Sequence, residues 1–155
     1  MSETAMALTR IETVNLAELL RQFRELMDAA DSADPAVQRL TPDAYPDDAR
    51  SSRQFRDLTA SDLLARRDAD AAAVLDSLGA PLAAPDNETA AREEITLSLS
   101  ADQLEAWLRT LAALRLVIAS RLGVTSEDDH DPSDPRYAVY EWLGYRLEML
   151  IQLTE

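Results

Sequence analysis

The chain has 155 residues, no cysteine, and 29 acidic against 15 basic residues, which gives a formal net charge of −14. A chain of this length is typical of one domain, and the lack of cysteine excludes disulfides, thiolate catalysis and zinc–thiolate sites. The negative charge repels phosphate backbones and anionic lipid, so neither direct nucleic-acid binding nor membrane contact is expected.

The first predicted elements are a short strand over 9–14 and a helix that follows it to about residue 30. Asn15 is the predicted N-cap, with Glu18 at the N3 position of a capping box. Apolar residues at helical spacing mark the buried face of this helix: Leu16, Leu19, Leu20, Phe23, Leu26 and Met27. Pro35 then begins a short helical turn.

The middle of the chain is predicted to hold two helices and a loop. Prolines place a loop at 41–46, followed by a short helix over about 47–58. Thr59 and Asp62 form a second capping-box pattern, so a new helix is expected to start there. Residues 79–94 have the composition of a linker or surface loop.

The sequence ITLSLS, which begins at Ile95, alternates apolar and polar residues, as a half-buried strand does. Ser100 is the predicted N-cap of a helix over 101–122, with Gln103 at its N3 position. Gly123 is expected to end that helix.

A small β ribbon is expected because two lone strands would leave backbone groups unpaired. We expect 9–14 to pair with 95–99, and the alternative is that each segment is an extended loop. The prediction for the whole chain, 1–155, is therefore one mainly α-helical domain, a bundle with a core over about 8–153 and a minor two-stranded ribbon.

The last predicted helix begins after Asp134, with Pro135 at its first position, and runs to about Leu153. Apolar side chains cover most of its circumference, and few residues share a polar side: Glu141, Gly144, Glu148 and Gln152. Such a helix is either central in a bundle or covered by a partner on its second face. Its aromatic residues are expected in a core rather than in a ligand cage: Tyr137, Tyr140, Trp142 and Tyr145.

Three arginines occupy positions that require a partner or an exit to solvent. Arg115 lies on the core face of its helix, so it either pairs with a carboxylate, such as Glu141 or an acid within 126–134, or extends to solvent. Arg146 lies within the apolar arc of the last helix, so it too either pairs with a carboxylate or extends to solvent. Arg121 is expected to complement a helix dipole and to hold the acidic turn. We interpret these as structural residues first and partner-binding residues second.

The stretch SEDDHDPSDP at 126–135 combines acidic residues with the only histidine of the chain. The weak candidates for metal ligands are Asp128, Asp129, His130 and Asp131. The stretch lacks the glycine and the bidentate glutamate of an EF-hand loop, and a zinc site would have a single nitrogen ligand. Carboxylates that precede a helix N-terminus favour a solvated turn instead.

No catalytic motif is found in the chain. It contains no G-x-S-x-G sequence, no P-loop and no G-x-G-x-x-G fingerprint. No cofactor is therefore expected, and a non-enzymatic protein is the interpretation that the sequence favours.

Three blocks of sequence resemble an actinobacterial family long labelled a domain of unknown function: TPDAYPDDARSSRQFRDLTASDLL, ADQLEAWLRTLAALRLVIASRLGV and DPRYAVYEWLGY. The resemblance covers about residues 11–153. The proteins that the chain resembles are of the actinomycete oxidative-stress regulator (AosR) type, and they are usually encoded near the ClpS proteolytic adaptor. The resemblance implies a regulator that acts by protein contact, with an alternative sigma factor as partner. This chain differs from what is expected of an oxidative-stress regulator, because redox sensing normally uses cysteine thiols and the chain has no cysteine.

The sequence therefore leads to three functional hypotheses. The first is a non-enzymatic regulatory or adaptor protein in the oxidative-stress response. The second is a structural or assembly protein that forms a homodimer through the last helix, and the third is weak divalent-metal binding at 126–134. Because the chain has no signal-peptide pattern and no apolar run of about 20 residues, we expect a cytoplasmic location.

Overall fold

The computed structural model describes residues 3–41, 49–79, 85–124 and 133–154, and for 49–58 it describes the backbone only. Within these ranges it has two strands and six α-helices, and a 3-10 turn at Pro135–Tyr137 precedes the last helix. The elements are β1 (Thr4–Thr9), α1 (Arg10–Ala29), α2 (Pro35–Leu40), α3 (Ala49–Leu78), α4 (Glu88–Ala91), β2 (Glu94–Leu99), α5 (Ala101–Leu122) and α6 (Ala138–Leu153). The predicted mainly helical class is confirmed.

The two strands form an antiparallel ribbon, in which Thr4 lies opposite Leu99 and Thr9 opposite Glu94. Alternate side chains of both strands are buried beneath the ribbon: Met6, Leu8, Leu97 and Leu99. The expected ribbon is thus confirmed, but its first strand lies at Thr4–Thr9 and not at 9–14.

The first strand is shifted because α1 begins earlier than predicted. The Thr9 hydroxyl accepts a hydrogen bond from the Glu12 amide at 3.3 Å, and the Glu12 carboxylate accepts one from the Thr9 amide at 2.9 Å. This reciprocal pair is a capping box. The predicted cap at Asn15, with Glu18, is wrong, since both residues lie within the helix.

The predicted break at Thr59 is also wrong, because α3 is one helix of 30 residues. No glycine or proline occurs between Ala49 and Leu78, so the local capping pattern had no helix breaker to support it. Within the predicted loop 79–94, the described part contains the four-residue helix α4, whose N-cap is Asn87.

Helix α5 is the central element, in contact with α1, α2, α3, α6 and β2. Its predicted capping box, Ser100 with Gln103, is confirmed, and Gly123 ends it in the left-handed conformation at φ 76°. Its buried face includes Trp107, which is 1% exposed and donates its indole N–H to the Ser77 hydroxyl of α3 at 2.7 Å.

Helix α6 packs against α5 at the edge of the bundle, so it is not the central helix that its composition allowed. The predicted start at Asp134 and Pro135 is confirmed as the capped 3-10 turn before it. Large apolar residues of α6 stay exposed: Val139, Tyr145, Ile151 and Leu153. In the described part of the chain, every helix is too short or too polar to cross a bilayer.

Candidate partner-binding surface

The ion pair between Glu12 and Arg146 joins the start of α1 to α6. Arg146 donates from Nη2 to both carboxylate oxygens at 2.6 Å and from Nε to Oε2 at 3.0 Å. The Trp142 indole N–H donates to the same carboxylate at 2.5 Å. The Glu12 and Arg146 side chains are only 17% and 13% exposed, so solvent screens this contact little. We call Glu12, Trp142 and Arg146 the Glu12 cluster.

The Glu12 cluster also fixes the ribbon, because Arg146 donates from Nη1 to the Ala7 carbonyl of β1 at 3.1 Å. Burial alone would raise the pKa of Glu12. Hydrogen bonds from Arg146, the Thr9 amide and Trp142, with the charge of Arg146, outweigh this and lower the pKa below its ordinary value. The carboxylate is therefore held ionised, and α6 is anchored in one orientation on α1 and β1.

Arg115 of α5 lies between two features of α6. Its guanidinium carbon is 4.0 Å from the centroid of the buried Tyr140 ring, and Nε donates to the Tyr140 carbonyl at 3.4 Å. The guanidinium also lies against Gly144, where an added Cβ would be 3.1 Å from Nε and from Nη2 of Arg115. A glycine inside a helix costs stability, and here it provides the space that Arg115 fills.

A double-mutant cycle tests this packing. In an Arg115→Ala background, Gly144→Ala is expected to stabilise the protein by about 1 kcal/mol through helix propensity. With Arg115 present the gain is expected to shrink or become a loss, because the new methyl group displaces the guanidinium from Tyr140. Urea unfolding of the four proteins measures the difference, and an equal effect in both backgrounds would contradict the packing argument.

Arg121 pairs with the N-cap residue of α2, and its predicted contact with the acidic turn falls mostly on residues outside the described ranges, so that contact stays a prediction. Arg121 donates from Nη1 and Nη2 to the Asp34 carboxylate at 2.6 and 2.8 Å. Asp34 also accepts the Ala36 amide at 2.9 Å. The predicted place of Arg121 in the last turn of α5 is confirmed, and its ion pair with Asp34 joins α5 to α2.

The hydrogen bonds from Arg121 lower the pKa of Asp34 to about 2. The paired carboxylate therefore stabilises the fold above pH ~4, and this contribution is lost as the pH falls from about 4 to 2. Because Arg121 is half exposed, we expect a contribution of about 1 kcal/mol. Carboxyl NMR titration of the wild type and Arg121→Gln measures it. The variant should move the pKa of Asp34 back toward 3.8, and an unchanged value would contradict the assignment.

The outer side of α5 and α6 forms a shallow groove of about 410 Å³. Its lining, which we call the α5–α6 surface, consists of Arg115, Glu141, Gly144, Tyr145, Leu147, Glu148 and Ile151. Tyr145 is 60% exposed and Ile151 42% exposed, and both acids are exposed as well. The surface thus combines apolar side chains that have no cover with carboxylates along one edge of the bundle.

The structure brings most of the predicted site residues to α6 and its contact with α5. Tyr140 is buried, Tyr137 and Trp142 are half-buried, and Tyr145 is exposed. Three residues meet in the α5–α6 surface: Arg115, Glu141 and Tyr145. Arg121, in the last turn of α5, lies outside this surface and pairs with Asp34 at the start of α2.

Glu12 was missed because its partners are 130 and 134 residues away. The one signal in the sequence was Thr9 three positions before it, a capping-box spacing that competes with the one at Asn15 and Glu18.

The metal-ligand candidates Asp128, Asp129, His130 and Asp131 lie outside the described residues. Among the residues that are described, no three His, Cys, Asp or Glu side chains are grouped to hold a metal ion.

Comparison with known proteins gives a family and no closer relative. No curated protein and no solved structure matches the chain. A sequence model of one family, described as a domain of unknown function (DUF2017), matches residues 2–154. The chain therefore belongs to the DUF2017 family.

Proposed function

We propose that this protein is a non-enzymatic regulator or adaptor that acts by binding another protein through the α5–α6 surface. The observation that carries the proposal is the exposure of large apolar side chains on a peripheral helix, with Tyr145 and Ile151 outermost. Grouped apolar residues rimmed by polar ones mark interaction sites on soluble proteins. Tyrosine is also among the residues enriched at protein interfaces.

The anchoring of α6 supports the same proposal. The Glu12 cluster and the Arg115–Tyr140 contact fix the helix from its inner side. The outer side is therefore presented on a rigid element, and little ordering cost remains for binding. A surface of this kind suits recognition of a partner better than chemistry, since no nucleophile–base pair lies within it.

The finer form of the proposal uses the resemblance to AosR-type regulators. On that basis the chain is actinobacterial, works in the cytoplasm and contacts an alternative sigma factor or another transcription component during oxidative stress. The net charge of −14 supports contact with a basic protein rather than with nucleic acid. Without cysteine, this chain takes part in the stress response through binding rather than through thiol oxidation.

Affinity purification from the host cell tests the proposal, with and without oxidant, using the wild type and the double variant Tyr145→Asp, Ile151→Asp. Both side chains are exposed, so the variant is expected to fold. A sigma factor or polymerase subunit recovered with the wild type and lost with the variant supports the regulator. Recovery of the proteolytic machinery with the same dependence supports the adaptor, and partners that bind both proteins equally argue against the α5–α6 surface.

A second candidate function is assembly as a homodimer through α6, and the exposed apolar residues of that helix favour it. A homodimer would bury Tyr145 and Ile151 against the same residues of a second copy. Light scattering during size-exclusion chromatography measures the mass of the protein in solution and so distinguishes a dimer from a monomer. A dimer that Tyr145→Asp dissociates supports assembly, and a monomer at high concentration removes this candidate.

A further inference from the structure

The phase of the hydrogen bonds in the ribbon determines which backbone groups face outward. The Arg10 amide donates to the Glu93 carbonyl at 2.8 Å, just beyond the last paired residues of the ribbon. In an antiparallel pair, residues that exchange hydrogen bonds with the partner strand alternate with residues that do not. The N–H and C=O groups of every second residue of β2 therefore point away from β1: Glu94, Thr96 and Ser98.

The outer edge of β1 is covered by side chains of the Glu12 cluster. By the same alternation, the Ala7 carbonyl and the Thr9 amide point outward from β1. Arg146 donates to the Ala7 carbonyl at 3.1 Å, and Glu12 accepts the Thr9 amide at 2.9 Å. Both contacts agree with the phase set by the Arg10 amide, and they occupy the part of this edge that is nearest to α1.

The outer edge of β2 has no such cover. The outward backbone groups of Glu94, Thr96 and Ser98 make no hydrogen bond with any residue in the described ranges, and all three residues are exposed. The strand contains no proline and no lysine, its pairing is unbroken, and its one charged residue, Glu94, stands at its first position. Edge strands without such protection are templates for pairing with another strand.

The charges along this edge are negative. Glu94 makes no ion pair with any described residue. The Glu3 carboxylate accepts a hydrogen bond from the Ser98 hydroxyl at 2.5 Å, and a neutral partner leaves its charge uncompensated. Positions 94 and 98 are about 13 Å apart along a strand. An added strand would therefore meet one carboxylate near each end of the edge, both on the exposed face of the ribbon.

A second copy of this chain matches the edge poorly. Two β2 strands paired antiparallel about Thr96 would place Glu94 of each copy beside Ser98 of the other, where the Glu3 carboxylate lies. Carboxylates would then meet at both ends of the contact, between two chains that each carry a net charge of −14. Electrostatic complementarity instead requires positive charge at both ends.

We propose that the open edge of β2 binds an extended basic segment of another protein as a third strand of the ribbon. Main-chain hydrogen bonds to the outward groups of β2 provide affinity, as in other cases of β-strand addition. Two Lys or Arg residues, four positions apart, lie beside Glu3 and Glu94. Apolar residues between them face the core side, next to Ile95 and Leu97. This edge shares no residue with the α5–α6 surface and does not depend on the proposed function.

Fluorescence anisotropy with the full chain and a labelled peptide tests strand addition. The peptide has the sequence KVTVK with two serines on each side, so antiparallel pairing places its lysines beside Glu3 and Glu94. One derivative carries N-methyl groups on the threonine and the second lysine, whose amides face β2 in this register, and the matched derivative carries them on the two valines, whose amides face away. We expect the first derivative to bind at least about tenfold more weakly than the second. Equal binding of the two derivatives, or no binding of the parent peptide, would overturn the proposal.

Variants of the protein test whether the contact lies at β2. Thr96→Pro removes an outward N–H that makes no bond within the ribbon, a position where proline is tolerated, and it should weaken peptide binding by at least about tenfold. Glu94→Lys is also expected to weaken binding, by a local loss of complementarity. Glu25→Lys makes the same charge change at an exposed site on α1 and should have a much smaller effect. Equal losses with Glu94→Lys and Glu25→Lys would reject the site.

Amide hydrogen exchange followed by NMR identifies what occupies the edge. In the dilute free protein we expect the Leu97 amide, which faces β1, to exchange more slowly than the Thr96 and Ser98 amides. The peptide should slow the exchange of Thr96 and Ser98 selectively. Slow exchange of both in the dilute free protein would mean that the chain itself covers the edge. Slow exchange that appears only at high protein concentration would assign the edge to a second copy, and either result rejects the proposal.

Discussion

Replacing Glu12 by alanine is expected to destabilise the protein by about 3 kcal/mol, since the change leaves the largely buried Arg146 without its counter-charge. The Trp142 indole and the Thr9 amide lose an acceptor as well, and the capping box of α1 is removed. Urea unfolding followed by circular dichroism measures the change. Because the pKa of Glu12 is lowered, the wild type should also lose this stability as the pH falls below the ordinary glutamate range, and the variant should not.

Two control variants make the Glu12 experiment specific. Glu12→Gln keeps the shape and part of the capping box, and it should cost less than Glu12→Ala but remain destabilising, since the charge is lost. Glu18→Gln removes an exposed ion pair with Arg21 on the same helix, and it is expected to change stability by less than about 0.5 kcal/mol. Equal effects of Glu12→Ala and Glu18→Gln would show that the Glu12 cluster does not anchor α6.

Replacing Trp107 by alanine is expected to cost about 4 kcal/mol, because the indole is 1% exposed and lies at the centre of the core. The change opens a cavity between α3 and α5 and also leaves the Ser77 hydroxyl without the indole N–H. Trp107→Phe should cost less, since the ring volume is partly retained. Thermal and urea unfolding measure both variants.

Leu116→Ala is the matched control for Trp107, because it truncates an apolar side chain of α5 that is 37% exposed. We expect a change of less than about 0.5 kcal/mol. A loss comparable to that of Trp107→Ala would mean that Leu116 is covered in solution, as it would be in an oligomer. The Trp107 prediction itself would be contradicted by a loss under about 1 kcal/mol.

Local signals in the sequence predict the elements whose ends depend on neighbouring residues alone. Ser100, Gln103 and Gly123 bound α5 as expected, since a capping box and a left-handed glycine act within one turn. The same reasoning failed at Asn15 because two capping boxes compete there. Arg146 and Trp142 bind Glu12 and so favour the box at Thr9. No pattern within the first 30 residues indicates that Arg146 and Trp142 bind Glu12 rather than another acid.

The candidate site was predicted in its parts but not in its arrangement. The composition of α6 indicated that it is either central or covered by a partner, and the structure places α5 at the centre instead. Arg115 was identified as a side chain in need of a partner. Arg115 packs against Tyr140 and Gly144 because of how α6 is rotated about its own axis. The spacing of residues along the sequence does not predict that rotation.

The separation of 134 residues between Glu12 and Arg146 has a consequence for the order of folding during translation. The ribosome makes the start of α1 early and α6 much later, so the nascent chain carries a capped first helix whose carboxylate has not yet met its arginine. Closing so long a loop is slow. Until it closes, β1 and the start of α1 lack only their link to α6, because the pairing of β1 with β2 and the packing of α1 on α3 do not depend on it.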